Sequence, residues 1–243
     1  MDTTNVIEIF SSIQGEGLYV GARQLFVRLP GCNLNCCYCD TKESHVTPDR
    51  CRIEMRAGSR SFKAYQNPVE GAFLKEKIQE MLDALPHQAI SVTGGEPLCH
   101  PSVIRELAQF RVPVYLETNG TMWEALREVM SAIDIISMDI KLPSITGKDC
   151  WREHEVFLHT AKEKELFVKM VVAAETTEEE VMQAVEMVAR ADRSIPLILQ
   201  PVTPTGTIHA IDAETMLRYQ EMALAHLKDV RVIPQTHKFL GQL

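Results

Sequence analysis

Residues 31–41 read Gly-Cys-Asn-Leu-Asn-Cys-Cys-Tyr-Cys-Asp-Thr and directly follow an apolar segment with the composition of a β-strand. Within this stretch, Cys32, Cys36 and Cys39 form the pattern C-x-x-x-C-x-x-C. Iron–sulfur cubanes are held by cysteine thiolates, usually four, so three ligands on one loop leave one iron open to a ligand that is not protein. We therefore expect these three cysteines to bind a [4Fe–4S] cluster.

A structural zinc site is the main alternative for these cysteines. Such sites normally use four Cys or His ligands that arrive as two separated pairs. No second C-x-x-C follows, and Cys37, Cys51, Cys99 and Cys150 occur singly. We interpret those four as core or surface thiols, and we expect the Cys37 side chain to point away from its neighbours in the loop. Coincidental burial of the three motif cysteines is a further alternative.

The composition is that of an ordinary globular chain. Of its 243 residues, 45% are hydrophobic and 24% are charged. A chain of this length and composition can form a substantial core, and we expect a single domain over residues 1–243. The formal net charge of −8 argues against nucleic acid as the main partner. No segment resembles a signal peptide or a transmembrane span, so we expect a cytoplasmic protein whose thiols stay reduced.

Apolar, β-branched segments alternate along the chain with segments of helical periodicity. The predicted strands are Gln24–Leu29, Ala89–Val92, Val112–Glu117, Ile133–Ile140, Leu166–Val172 and Pro196–Val202. The predicted helices are Val69–Leu85, Ser102–Phe110, Trp123–Met130, Trp151–Lys164, Glu178–Ala191 and Asp212–Leu227. A capping box of Thr177 and Glu180 and a cap at Asp212 mark two of the helix starts.

This alternation predicts an α/β fold with a parallel sheet, because continuously apolar strands are typical of strands buried on both faces. A partial (β/α)6 open barrel, similar to an incomplete TIM barrel, fits the number of units better than a closed eight-unit barrel. Residues 42–68 interrupt the pattern with polar and basic residues, two prolines and a glycine. We expect an ordered excursion beside the site there, with a mobile surface loop as the alternative.

A second group of residues follows the second predicted strand as Thr93-Gly-Gly-Glu-Pro97. Parallel α/β folds place their chemistry at the carboxyl ends of the strands. Two consecutive glycines allow the backbone to approach a ligand closely, and Glu96 offers an acceptor for an ammonium group. A Gly-Gly pair alone is usually a turn. Its position beside the cysteine motif makes it a stronger indication of a site.

The cysteine motif, with the aromatic Tyr38 before its third cysteine and the later G-G-E-P, resembles the radical S-adenosylmethionine (SAM) superfamily. The resemblance implies that the open iron is chelated by the amine and carboxylate of the methionyl group, and that a 5′-deoxyadenosyl radical does the chemistry, so that no side chain is assigned a catalytic role. The cofactor-binding residues implied are Tyr38, Asp40, Gly94, Gly95, Glu96, Ser137, Met138, Asp139, Gln200, Pro201, Val202 and Thr203. For Ser137 and Asp139, capping of a strand end is the alternative role.

A further signature combines Phe10-Ser-Ser-Ile-Gln-Gly-Glu-Gly17, Arg28 and Gln235-Thr-His-Lys-Phe-Leu-Gly241. Together these resemble the 7-carboxy-7-deazaguanine synthase family, and the match extends to both ends of the chain. The resemblance implies ring contraction of 6-carboxy-5,6,7,8-tetrahydropterin to 7-carboxy-7-deazaguanine with loss of ammonia, a step toward 7-deazapurine nucleosides such as queuosine. It also implies a homodimer, a flavodoxin or ferredoxin reductant, and Mg²⁺ bound with the help of Thr41.

The residue types in this signature suit a planar, anionic substrate. Gln14 offers a donor and an acceptor, Glu16 can accept from a guanidine-like N–H, and Arg28 can clamp a carboxylate through two parallel bonds. A surface turn is the alternative for Gln-Gly-Glu-Gly. His237 matches the family's substrate-side histidine, and the carboxylate of Leu243 is close enough in sequence to fold into the site. The predicted substrate-binding residues are Ile13, Gln14, Gly15, Glu16, Arg28, Thr93, His237 and Leu243.

Two other functions remain possible at this point. Glycyl-radical activating enzymes share the cysteine pattern and the small size but act on a protein, and they have no use for Gln-Gly-Glu-Gly with Arg28. A non-catalytic, zinc-stabilised binding module is the alternative from another class.

Overall fold

The computed structural model describes residues 2–206 and 208–242, and in this range it contains a strand at each predicted apolar segment. The strands are β1 (Thr3–Thr4), β2 (Glu8–Ile13), β3 (Arg23–Leu29), β4 (Arg50–Glu54), β5 (Phe62–Gln66), β6 (Val69–Glu70), β7 (Ala89–Gly94), β8 (Val114–Thr118), β9 (Ile135–Ile140), β10 (Glu165–Val172), β11 (Leu197–Pro201) and β12 (Val230–Val232). The helices are α1 (Gly71–Ala84), α2 (Pro101–Leu107), α3 (Trp123–Val129), α4 (Pro143–Thr146), α5 (Trp151–Ala161), α6 (Glu178–Ala191), α7 (Ala213–Leu224) and α8 (Thr236–Phe239).

Ten of these strands form one sheet in the order β12-β11-β10-β9-β8-β7-β3-β2-β4-β5. The strands from β3 to β12 in this order are all parallel, with helices in the connections between them. The order is linear, so the sheet is open. The predicted α/β fold with a (β/α)6 open barrel is confirmed, and β12 adds one short parallel strand to it.

The strands beside β3 are the part of the sheet that the sequence analysis missed. β2 runs antiparallel to β3, and the hairpin of β4 and β5 continues the sheet outward. This hairpin lies within residues 42–68, so the excursion is ordered and belongs to the sheet. Its strands alternate polar and apolar residues, as expected of an edge exposed on one side, and so lack the continuously apolar signature of the parallel strands.

Two helix starts have the predicted caps. The Thr177 hydroxyl accepts a bond from the Glu180 N–H at 3.3 Å, and the Glu180 carboxylate accepts from the Thr177 N–H at 3.2 Å. Asp212 accepts from the Thr215 N–H at 2.9 Å and caps α7. Both helices therefore begin where the sequence places them. No helix in the described part of the chain is long and apolar enough to cross a membrane.

The apolar core consists of two clusters of buried residues, and together they determine which part of the half-barrel interior is filled. The larger part fills the space between the sheet and the outer helices. The smaller one closes the amino ends of the parallel strands, where Leu18 and Tyr19 pack against Tyr115 and Phe167. The barrel interior is therefore closed at this end.

His154 on α5 is a buried titratable residue that connects a helix to two strand ends. Its Nε2 lies 3.1 Å from the carbonyl oxygen of Asn119 and 3.4 Å from the N–H of Lys141. The carbonyl can only accept, so the shorter contact assigns the proton to Nε2. Burial lowers the pKa of His154 to about 4.

We predict that this histidine makes folding sensitive to mild acid. The unfolded chain binds a proton near the ordinary pKa of 6.5 and the folded chain only near about 4, so stability falls as pH drops through this window. Between about pH 7.5 and about pH 5.5, the free energy of unfolding should fall by about 1.3 kcal/mol more in the wild type than in His154→Gln. Denaturant titrations at the two pH values measure this difference, and equal losses in both proteins would contradict the assignment.

Candidate active site

A cavity of about 420 Å³ occupies the interior of the half-barrel above the closed amino end. Residues from both ends of the chain and from most of the parallel strands line this cavity. The predicted site residues that line it are Ile13, Gln14, Gly15, Glu16, Arg28, Cys32, Cys36, Tyr38, Cys39, Asp40, Thr41, Thr93, Gly94, Gly95, Asp139, Gln200, Val202, Thr203 and His237.

Four predicted residues do not line this cavity. Glu96, Ser137 and Met138 are buried behind its wall, and Pro201 lies at the end of β11. Leu243 lies outside the described residues. With these exceptions, the structure brings together predicted residues that are separated by more than two hundred positions in sequence.

The cysteine loop forms one wall of the cavity. Cys32, Cys36 and Cys39 all line it, and the loop is held by a bond from the Cys39 N–H to the Cys36 carbonyl at 3.2 Å. The N–H of Leu34 lies 3.4 Å from the Cys32 sulfur. Cys37 points elsewhere, because its thiol donates to the Ile145 carbonyl at 2.6 Å. The predicted division between three motif cysteines and an outward Cys37 is confirmed.

The spacing of these side chains bears on which metal group they fit. Within residues 2–206 and 208–242, no three His, Cys, Asp or Glu side chains converge closely enough to hold a single metal ion. A lone zinc ion requires such convergence, with Zn–S distances of about 2.3 Å. Thiolates on a cubane bind different irons and do not converge on one point. Three cysteines of one loop that line the cavity are a donor set that fits a cubane.

The glycine motif holds the cysteine loop in place. The Gly95 N–H donates to the Leu29 carbonyl at 3.1 Å, and the Glu96 N–H donates to the Gly31 carbonyl at 2.7 Å. A Cβ atom at Gly94 or Gly95 would collide with the backbone of Leu29 or Gly31. The glycines are therefore required by a close approach between two backbones, and the N–H groups of Gly95 and Glu96 are used for this contact.

Glu96 has a different role from the predicted one. Its side chain is fully buried and accepts bonds from the N–H groups of Leu98 at 3.1 Å and Asn119 at 2.7 Å. The Thr118 hydroxyl donates to it at 2.8 Å. Burial raises the pKa of this carboxyl to about 7 despite these donors. The carboxylate joins the ends of β7 and β8 and does not line the cavity, and its predicted role toward an ammonium group stays a prediction.

Two buried polar atoms on the cavity wall have no hydrogen-bond partner. They are Oε1 of Gln200, whose side chain is almost fully buried, and the hydroxyl of Tyr38. A buried polar atom without a partner is costly, typically about 1–3 kcal/mol. A bound ligand with polar edges, such as a nucleoside, offers partners of the right kind for them. The cavity therefore fits SAM beside the cluster, and the contacts of Gln200 and Tyr38 with that cofactor stay predictions.

Gln14 is fully engaged with protein atoms. Its amide nitrogen donates to Glu117 at 2.7 Å and to Gln24 at 3.1 Å, and its amide oxygen accepts from the Glu16 N–H at 3.1 Å. The predicted donor and acceptor pair is therefore used to shape the loop. Thr93 likewise donates to Glu117, at 2.7 Å. Glu117 itself, which sequence reasoning missed, lines the cavity.

Arg28 has a protein partner that the sequence did not reveal. Its Nε donates to Glu8 at 2.9 Å, and Arg52 from the β4–β5 hairpin donates to the other Glu8 oxygen at 2.6 Å. Burial of Arg28 is thus explained without a ligand. Its Nη groups have no hydrogen-bond partner among the described residues, and the side chain lines the cavity. Glu8 fixes one edge of the guanidinium and leaves the other edge available to an anion.

The interior of the barrel is strongly charged, and sequence reasoning missed both of its lysines. Lys141 forms an ion pair with Asp139 at 2.8 Å and lies over the Tyr38 ring. Lys169 forms ion pairs with Glu16 and with Asp139, the latter at 3.3 Å. A lysine inside an otherwise apolar run, as in Leu-Phe-Val-Lys-Met-Val-Val, was the available sequence signal. The interior therefore offers both signs of charge to a zwitterionic or anionic ligand.

The C-terminal segment covers part of the cavity. Gln235 donates to Glu16 at 2.7 Å and to Asp40 at 3.0 Å, and it accepts from the Thr203 hydroxyl at 2.6 Å. Asp40 and Thr203, predicted to bind cofactor, are thus tied to this segment. The His237 ring lies where a side chain at Gly15 would be, so the glycine is needed for this contact.

Thr41 is placed beside the cysteine loop. Its hydroxyl lies 3.8 Å from the Cys39 sulfur, and it precedes a short 3₁₀ helix, Lys42–His45. His45 also lies 3.8 Å from the Cys39 sulfur and lines the cavity, although the sequence gave no sign of it. Thr41 faces the cavity, and its predicted role toward Mg²⁺ stays a prediction.

Comparisons with known proteins identify a family model, sequence relatives and a solved structure that are similar to this chain. The pattern of the radical SAM superfamily matches residues 26–209. A 7-carboxy-7-deazaguanine synthase from Geobacter sulfurreducens is 45% identical over 243 residues, covering 97% of this chain and 96% of that protein. One from Archaeoglobus fulgidus is 34% identical and covers 98% of each. QueE from Escherichia coli has a similar fold, with a TM-score of 0.61 at 18% identity, covering 97% of this chain and 95% of that chain.

We predict that neighbouring cysteines in this loop differ completely in their effect on the cluster. After anaerobic reconstitution, Cys36→Ala should lose the iron and sulfide of a complete cluster, because two thiolates remain on the wall. Cys37→Ala should retain about four irons per chain, since its thiol points to Ile145. Iron and sulfide analysis with visible absorption measures both, and equal iron content in the two variants would contradict the assignment.

Proposed function

The chain belongs to the radical SAM superfamily and, within it, to the 7-carboxy-7-deazaguanine synthases, and on this basis we propose that it converts 6-carboxy-5,6,7,8-tetrahydropterin to 7-carboxy-7-deazaguanine. The reaction contracts the ring of the pterin and releases ammonia. Members of the superfamily use a [4Fe–4S] cluster and SAM, and the enzyme is a radical SAM lyase. Family membership sets aside the zinc-binding module, and the close relatives give no support to a glycyl-radical activating enzyme.

One observation supports this substrate most directly. The cysteine loop, the Gln-Gly-Glu-Gly segment, Arg28 and His237 line a single cavity. The first supplies the cofactor chemistry, and the others come from the motifs that distinguish the synthases within the superfamily. Their meeting in one enclosed space of about 420 Å³ suits a small bicyclic substrate beside a nucleoside cofactor.

The cluster and SAM, when bound, supply the electron and the radical that start the reaction. The chain's own residues bind and orient. Arg28, held at Nε by Glu8, presents its Nη groups to the substrate carboxylate. Glu16 accepts from the amino-pyrimidine edge. Tyr19, Tyr115 and Phe167 close the amino end of the barrel and exclude water from that side, which protects a reactive intermediate.

The remaining partners of the reaction also belong to this proposal. Mg²⁺, bound beside Thr41, would organise substrate oxygens, since hard cations take oxygen ligands and keep some waters. A flavodoxin or ferredoxin would deliver the electron. We infer a homodimer and a cytoplasmic location, where a reducing environment keeps the cysteines available. The Leu243 carboxylate as a substrate contact is part of the same proposal, although it lies outside the described residues.

The proposal predicts product formation from defined components. Reduced, cluster-loaded protein incubated with 6-carboxytetrahydropterin, SAM and Mg²⁺ should form 7-carboxy-7-deazaguanine, detected by ultraviolet absorbance and mass. Omission of SAM should abolish it, because the radical comes from that cofactor. If the cluster-loaded protein cleaves SAM but leaves the pterin unchanged, the proposed substrate is wrong, whereas the assignment to the radical SAM superfamily still stands.

Arg28 should determine the affinity for the substrate carboxylate. Replacing it by Gln removes a two-bond, charge-assisted contact and should raise the KM for the pterin by about tenfold or more. Iron content should not change, since Arg28 does not contact the cysteine loop. The matched control is Arg50→Gln on β4, an exposed arginine that donates to the Ala64 carbonyl. An unchanged KM in Arg28→Gln would show that the clamp is wrong.

A further inference from the structure

Lys169 is a buried charged residue that neither the motifs nor the family resemblance assigned. It lies on β10, next to Asp139 in the parallel register with β9. Its side chain is 9% exposed, and it lines the cavity. Every other residue from Leu166 to Val172 is apolar. A buried ammonium at such a position requires partners of opposite charge.

Both of its partners are carboxylates of the cavity. One oxygen of Glu16 pairs with Lys169, and one oxygen of Asp139 lies 3.3 Å from the same ammonium. Burial alone would lower the pKa of Lys169, but Asp139 and Glu16 outweigh it and hold the pKa above its usual range. Lys169 is therefore a fixed cation.

The two carboxylates depend on Lys169 to different degrees. Asp139 has a second cation, because its other oxygen pairs with Lys141 at 2.8 Å. The second partner of Glu16 is the neutral amide of Gln235, at 2.7 Å, which belongs to the C-terminal segment. Asp40 and Thr203 share that amide, so it is one member of a network at the cavity mouth. Glu16 thus has a single charged partner on the sheet.

The arrangement also separates the two oxygens of Glu16. The oxygen on Lys169 is held by a residue whose backbone is hydrogen-bonded within the sheet. The oxygen on Gln235 is bonded to an N–H donor, and the amino group of a pyrimidine edge is a donor of the same kind. A substrate N–H can therefore replace the Gln235 N–H while the carboxylate stays in place.

We propose that Lys169 is a positioning residue for substrate recognition, which holds Glu16 so that one oxygen faces the amino-pyrimidine edge of the substrate. This inference rests on the proposed function and adds a residue to it. Asp139 in turn anchors Lys169. The ion pair is neutral as a unit, so the buried carboxylate keeps its charge as an acceptor without a net charge that would oppose an anionic substrate.

The test measures two dissociation constants on unreduced, cluster-loaded protein, so that no turnover occurs. In Lys169→Met, the Kd for 6-carboxytetrahydropterin should rise by about tenfold or more, because the charge-assisted contact of Glu16 loses its orientation. The Kd for SAM should change by less than about threefold, since Asp139 retains Lys141. Lys169→Arg, which keeps the charge, should restore most of the substrate affinity. Lys77→Met, which removes a lysine paired with Glu80 outside the sheet, is the matched control.

A purely structural role for Lys169 gives a different pattern. It would weaken both ligands together, along with iron content and thermal stability, and that result would overturn the inference, as would an unchanged substrate Kd in Lys169→Met. If Lys169→Met does not load its cluster, Lys169→Gln takes its place, and the inference then requires weaker substrate binding in Gln than in Arg. Failure of the wild type to bind the pterin would instead contradict the proposed function.

Discussion

The backbone contact between the end of β3 and the turn after β7 determines where the cysteines lie. Two N–H groups of this turn, from Gly95 and Glu96, donate to the carbonyls of Leu29 and Gly31 at 3.1 and 2.7 Å. No side chain fits between the backbones at Gly94 or Gly95. The buried Glu96 carboxylate then ties the turn to the end of β8. The cysteine loop, which starts at Gly31, is thereby fixed against the cavity by the sheet itself.

The interior of the half-barrel is lined by charged side chains and is not filled by apolar ones. Its amino end is closed by aromatic side chains, and its interior holds lysines, carboxylates and an arginine with known partners. Because these charges are paired with one another, the ion pairs offset the desolvation cost of burial even when no ligand is bound. Among the described cavity residues, polar groups without a hydrogen-bond partner include the Nη groups of Arg28, Oε1 of Gln200 and the hydroxyl of Tyr38. These groups match a ligand set with an anionic group and polar rings.

The sequence predicted the parallel strands and most of the residues that line the cavity, because continuous apolar runs and strand-end motifs are local signals. It did not reveal partners that lie far along the chain. Gln14, expected to contact a ligand, donates to Glu117, and Arg28, expected to clamp a carboxylate, also donates to Glu8. Lys169 gave only the weak signal of a charge in an apolar strand, and its meaning came from the neighbouring strand and from Glu16.

Three thiolates on one loop would leave one iron of the cluster open to the amino acid end of SAM. Electron–nuclear double resonance on the reduced, reconstituted protein tests this ligation, with SAM isotopically labelled at the methionyl amine and carboxylate. Direct ligation to iron should give a coupling between each label and the electron spin of the cluster. A cluster spectrum without coupling to bound, labelled SAM would contradict it.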